Sequence, residues 1–208
     1  WLVPTITAVA WREAFKAHLC KLRGDPTAYS AGAGSFALTN LHPIGSALAP
    51  IIMILRHKEL VYAWANSTQI RVGYLKKGIT DVVFIVLFTL ASNFVMALGW
   101  VGIAYIGKLI PLHTLSSFII STADAGIKIN LLLLIAHLIP LPPMDISIII
   151  RELLPKYIKG LYKIFDHVGH YLIYAAVFFK TPLNSDFLVP LVNLVEGNLL
   201  QWVGVVLT

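Results

Sequence analysis

The sequence predicts an all-α polytopic membrane protein with about four to six membrane segments, and three observations carry that expectation. Hydrophobic residues make up 58% of the 208 residues and charged residues only 12%, half the roughly 25% of a soluble domain. The apolar residues gather in runs that can enter or cross a bilayer, at about 20 residues per span. The Lys and Arg residues gather between the runs, as their bias toward cytoplasmic loops requires. That bias also accounts for the net charge of +6. No repeats, low-complexity tracts or aromatics interleaved with basic residues point to nucleic acid as a partner. The single Cys20 excludes an internal disulfide. The chain starts at Trp1 without a methionine or a cationic leader, so it reads as part of a longer protein and no signal peptide is assigned. Residues 1–208 are expected to form one membrane-embedded domain.

Residues 2–22 are mostly apolar but carry Arg12, Glu13, Lys16 and His18. Arg12 and Lys16, four apart, share a helix face, with Glu13 beside them. Gly24-Asp25-Pro26-Thr27 reads as a turn. A small irregular or hairpin insertion is expected near 28–46, where Ala31-Gly32-Ala33-Gly34-Ser35 is Gly-rich. Pro43 to Leu55 is apolar, short for a span, and fits a re-entrant segment. Residues 56–80 read as a polar loop. Val82 to Ile106 is the clearest membrane helix. Leu115 to Leu138 follows, with Asp124 and Lys128 four apart and placed to pair. Ile146 to Leu154 is short. A further helix starts near Ile158 and ends at Phe179, and 187–207 is a final span or an interfacial helix. His18, His57 and His113 fall in loop or interfacial settings, as do Asp166, His167 and His170, which form a D-H-x-x-H cluster at helical spacing.

The loops orient these segments. Loop 56–80 has five Lys or Arg, 107–114 has one, and 151–163 has four. With a membrane crossing on each side of 107–114, both basic loops fall on one face. They are expected to be cytoplasmic in a multi-pass protein, with 107–114 outside.

The most unusual stretch is His137-Leu138-Ile139-Pro140-Leu141-Pro142-Pro143-Met144-Asp145. It ends an apolar run, and its three prolines break the helix. Irregular backbone at membrane depth survives only when buried in protein or lining a cavity. A carboxylate beside such a break marks a candidate functional site.

Together with Gly24-Asp25-Pro26-Thr27-Ala28, His42-Pro43-Ile44-Gly45-Ser46, Trp64-Ala65-Asn66 and Asn93, this stretch resembles the motifs of the short-form site-2 protease family. Members are intramembrane zinc metalloproteases, and the resemblance runs in consistent order over about 5–180. It implies a bacterial inner-membrane location. It also implies that Asp145 stands at the third zinc-ligand position and Glu13 at the general-base position of the family's H-E-x-x-H helix. The two histidine positions are occupied by Arg12 and Lys16. His42 replaces the family's Asp before Pro-x-Gly, His137 its Asn, and Ile146 the Gly after the last ligand. Arginine has no lone pair to give, and lysine holds its proton to about pH 10. Hence the residues imply a non-catalytic relative without a cofactor. It would keep a groove at Pro43, Gly45, Pro140, Pro142 and Pro143 for a transmembrane or membrane-proximal peptide bound by strand addition.

Three alternatives stand beside that expectation. An active zinc enzyme could use His42, His137 and Asp145 as substitute ligands, with Glu13 as base. It could also be a chain whose altered positions are introduced substitutions. A transporter would use Asp124, Lys128 and the broken helix, but no duplicated pattern supports it. In the non-catalytic form, Arg12 and Lys16 bring two positive charges and Glu13 and Asp145 two negative ones. The four would form a neutral buried network pinning the first helix to the Pro-Pro-x-Asp turn.

Overall fold

The computed structural model describes residues 1–34, 41–56, 59–179, 181 and 183–204, with the side chains at 156–157, 161–164, 166–167 and 183–185 outside the description. Every regular element among these residues is helical. The first helix, α1 (Leu2–Arg23), runs through the middle of the bundle with its charged residues buried. Its Pro4 lies in the first turn, where a missing N–H costs no intrahelical bond. It ends at Gly24, whose φ of 113° is left-handed and favours glycine. A side chain there would also meet the Tyr74 carbonyl oxygen at 2.8 Å. Asp25 closes the turn by accepting from the Thr27 N–H (3.1 Å) and hydroxyl (2.6 Å) and from the Arg71 N–H (2.8 Å). The Gly-Asp-Pro-Thr motif thus ties the end of α1 to loop 71–76.

Of the irregular or hairpin insertion expected near 28–46, the described residues form irregular helical turns. Tyr29–Ala33 is a wide helical turn, residues 35–40 lie outside the described residues, and Leu41 makes its antiparallel bridge with Ala65 rather than within 28–46. A second wide turn, Pro43–Leu48, leads into α2 (Ala49–Leu55). Loop 56–80 differs from expectation. Its stretch Leu60-Val61-Tyr62-Ala63-Trp64-Ala65 is buried in the main core, because six consecutive apolar or aromatic residues outweigh the cations that flank them.

Helices α3 (Ile79–Lys108) and α4 (His113–His137) pack antiparallel along most of their length. At about 1.5 Å per residue they are roughly 45 and 37 Å long, enough for a hydrocarbon core of about 30 Å. Small residues admit close approach of the two helices: Trp100 covers Gly126, and Ile119 packs on Gly107. After the proline break come α5 (Asp145–Leu153), α6 (Lys156–Phe178) and α7 (Val189–Val203). The buried residues of α7, Val192, Glu196 and Leu199, recur at helical spacing on the side that meets α4.

Among the described residues two helices, α3 and α4, are long and apolar enough to cross a membrane; the expected four to six are not all present as such. Helix α1 has the length but three charged residues near its middle. The apolar helical pieces 43–55 and 168–178 are short, and α5 and α7 have 9 and 15 residues.

Candidate functional site: a buried ion cluster beside a cleft

The site forms where the central turns of α1 meet the proline break. Between His137, the last residue of α4, and Asp145, the first of α5, three prolines deny the backbone its helical bonds. The chain folds back with a cis Pro142–Pro143 bond. Helix α6 fits against this turn because Gly169 sits on the Pro142 carbonyl and the Pro143 ring, leaving no room for a side chain. The turn thereby directs Asp145, fully buried, at α1.

Two cations meet that carboxylate. Arg12 Nη2 donates to Asp145 Oδ2, and Lys16 Nζ donates to Oδ1 at 2.8 Å. Neither cation is more than 2% exposed. The other arm of Arg12, Nη1, donates to Asn93 Oδ1 on α3 at 2.6 Å. Asn93 Nδ2 in turn donates to Asn130 Oδ1 on α4 at 3.4 Å, and Asn130 Nδ2 donates to the Gly126 carbonyl at 2.8 Å. One hydrogen-bonded chain therefore joins α1, α3, α4 and α5 through groups that lipid or apolar packing would leave unsatisfied. Glu13 takes a different partner. Its Oε2 accepts from the Thr68 N–H at 2.6 Å, while the Thr68 hydroxyl donates to the Glu13 carbonyl at 3.3 Å. The four charges balance, but three are joined by hydrogen bonds and the fourth holds the extended 60–70 segment.

The substitute ligand set does not come together. His42 caps the 43–48 turn, its Nδ1 accepting from the Gly45 N–H at 3.0 Å. His137 is buried with Nδ1 unpartnered, 3.7 Å from Asp145 Oδ2. Among the described residues no three His, Cys, Asp or Glu side chains are placed to share a metal ion. The donor chemistry agrees: Arg12 has no lone pair to offer, the Lys16 ammonium is donating, and both oxygens of Asp145 are engaged. These residues do not fit a zinc ion. Of the D-H-x-x-H cluster, Asp166 and His167 lie outside the described side chains. His170 stacks on Trp64 at 5.7 Å and 6°, with its Nδ1 3.3 Å from the Tyr62 hydroxyl.

A cavity of about 10 Å³ adjoins the cluster between Arg12, Glu13, His137 and His170, room for about one water. Trp64 and His170 separate it from an open cleft of about 690 Å³ that runs along residues 64–71. Of the expected groove residues, Pro143 lines this cleft and Gly45 lies against the Trp64 indole behind it. Pro43 opens the 43–48 turn, Pro142 is buried under Gly169, and Pro140 is exposed at the surface of the break. Thr68, Asn130 and the Trp64–His170 stack were absent from the sequence expectations. Asn130 had a visible sign, a lone amide inside an apolar run. Thr68 had none, since its backbone N–H makes the contact.

A Bacillus subtilis (strain 168) protein described as "Putative zinc metalloprotease YwhC" is 25% identical over 211 residues, covering 96% of this chain and 89% of its own length. No protein-family model matches the chain, and no solved structure matches it. The likeness supports a metalloprotease-like family for this chain.

Proposed function

We propose that the chain is a multi-pass membrane protein of the site-2 protease type that binds peptide without cutting it. One observation carries the reading: Arg12 and Lys16 both donate to Asp145 at a site closed to solvent. In the site-2 protease pattern these are the three metal-ligand positions. Two fixed cations there repel an approaching zinc ion, an effect that grows as the surroundings become less polar. Without a metal-lowered water there is no nucleophile for a general base to prepare, and Glu13 is engaged by Thr68. The cleft along the extended 64–71 segment remains as a place where an unwound peptide could add alongside backbone. On this reading loops 56–80 and 151–163 face the cytoplasm.

The zinc content of the purified protein tests the proposal, measured for the parent chain and for the Arg12→His, Lys16→His double variant. The expected result is less than one zinc per several chains in the parent and about one per chain in the double variant, two imidazoles and a carboxylate being an acceptable zinc set. Stoichiometric zinc in the parent would restore the active-protease reading that the description of the Bacillus relative suggests.

A further inference from the structure

The end of α1 and the start of α3 bring three cations to one carboxylate. Arg23 Nη1 lies 3.5 Å from Asp81 Oδ1, and its guanidinium covers the Phe84 ring, 3.5 Å from the centroid. Lys76 is fixed beside it, its N–H donating to the Arg23 carbonyl at 3.1 Å and its stem lying against Gly24. The Lys77 N–H donates to Asp81 Oδ2 at 2.7 Å. Asp81 is buried, whereas Lys76 and Lys77 are exposed. Among the described residues neither ammonium pairs with a carboxylate. Asp25, two residues after Arg23, is buried and holds donors of Thr27 and Arg71 instead. Next to this cationic corner the surface of α3 is aromatic. Phe84 stacks on Phe88 with centroids 4.2 Å apart, and Phe88, about 6 Å further along the helix axis, is 49% exposed.

We propose that this corner binds an anionic phospholipid, its phosphate held by Arg23, Lys76 and Lys77 and an acyl chain lying on Phe84 and Phe88. The inference rests on the membrane-crossing part of the reading above and is independent of peptide binding and of zinc. Arginine meets phosphate with forked donors and lysine meets it as a point charge. One carboxylate cannot neutralise three cations, so the corner keeps a positive charge at the end of a helix long enough to cross the bilayer. Basic clusters placed there are drawn to the anionic lipids of the cytoplasmic leaflet, the side to which loop 56–80 is assigned. A zwitterionic headgroup brings its own cation to the same spot, so the side chains that attract one class of lipid disfavour the other. The stacked rings argue for a lipid over a free phosphate, which would use the cations and leave the aromatic surface uncovered.

The test uses the full chain in a non-ionic detergent with equal amounts of phosphatidylglycerol and phosphatidylcholine carrying the same acyl chains. Native mass spectrometry counts each retained lipid by its mass. The parent should retain the anionic lipid at least about fivefold over the zwitterionic one, the scale of one basic side chain at an anionic surface. Lys76→Gln with Lys77→Gln should bring the two lipids close to parity. Each single substitution should give an intermediate ratio, which keeps the test open if the double variant unfolds. Lys108→Gln, at the opposite end of α3, should leave the ratio as it is, and added inorganic phosphate should not displace the lipid. Parity or no retained lipid in the parent, an unchanged ratio in the Lys76 and Lys77 variants, an equal loss in Lys108→Gln, or displacement by inorganic phosphate overturns the inference and leaves the membrane reading standing. If the chain also retains no lipid and stays dissolved without detergent, the membrane reading falls with it.

Discussion

Arg12 divides its guanidinium between Asn93 and Asp145, and this one residue accounts for much of how the bundle closes. Breaking a buried ion pair by removing one partner costs about 3–5 kcal/mol, because the remaining charge is stranded. Asp145→Asn strands two. We expect it to lower stability by at least that amount, read as thermal unfolding in detergent. Asp145→Asn combined with Lys16→Met should recover part of the loss, since Arg12 and Glu13 then balance. An unchanged melting temperature in Asp145→Asn would show that the cluster does not hold α1 in place. The cluster was largely legible beforehand. Arg12 and Lys16 lie one turn apart, and a carboxylate beside a proline break in an apolar chain needs a cation. The partner of Glu13 was not legible, because a backbone N–H in a loop leaves no mark on residue identity. His42 shows the same limit: its type suits a ligand, and only its position before Pro43 makes it a cap.

Helix α7 depends on a second polar contact near the middle of α4. Lys128 Nζ pairs with Asp124 Oδ2 at 2.9 Å, and the buried Glu196 of α7 lies within electrostatic reach of both. Asn193 adds a hydrogen bond to Glu59 Oε1 at 2.9 Å. Lys128→Met would leave two carboxylates facing each other without a cation, a like-charge pair in a poorly solvated place. The expected result is faster proteolytic cleavage in the connection between α6 and α7, with the helices before it intact. Adding Glu196→Gln should restore resistance, and equal cleavage rates in all three proteins would show that α7 docks by its apolar residues alone. The Asp124–Lys128 pair followed from i,i+4 spacing, whereas its link to Glu196 needed the tertiary fold. The 60–65 stretch taught the converse. Its apolar run was visible, but basic residues on both sides gave the whole loop a polar look, and burial is decided by the run itself.

For the whole molecule, the loop charges predict that residues 77 and 159 share one side of the membrane and residue 111 lies on the other. Single cysteines at these positions, in a Cys20→Ser background, should be labelled by an impermeant reagent from opposite faces of oriented vesicles. Labelling of all three from one face would reject the topology. Helices α3 and α4 were readable to within a few residues because long apolar runs have few other uses. The remaining segments were harder, since a helix buried by its neighbours, such as α1, can carry charge that a lipid-facing helix cannot. That arrangement also dictates an order of events during synthesis. Asp145 lies 133 residues after Arg12 and 129 after Lys16. At about 5–20 residues per second the ribosome needs roughly 7–26 s to supply it. Until then α1 holds two cations with one neighbouring carboxylate; were it inserted in a membrane, a charge at the bilayer centre would cost about 2.5–3.5 kcal/mol. Helix α1 is therefore made well before it can settle, and its arrival at the centre of the bundle waits on α5.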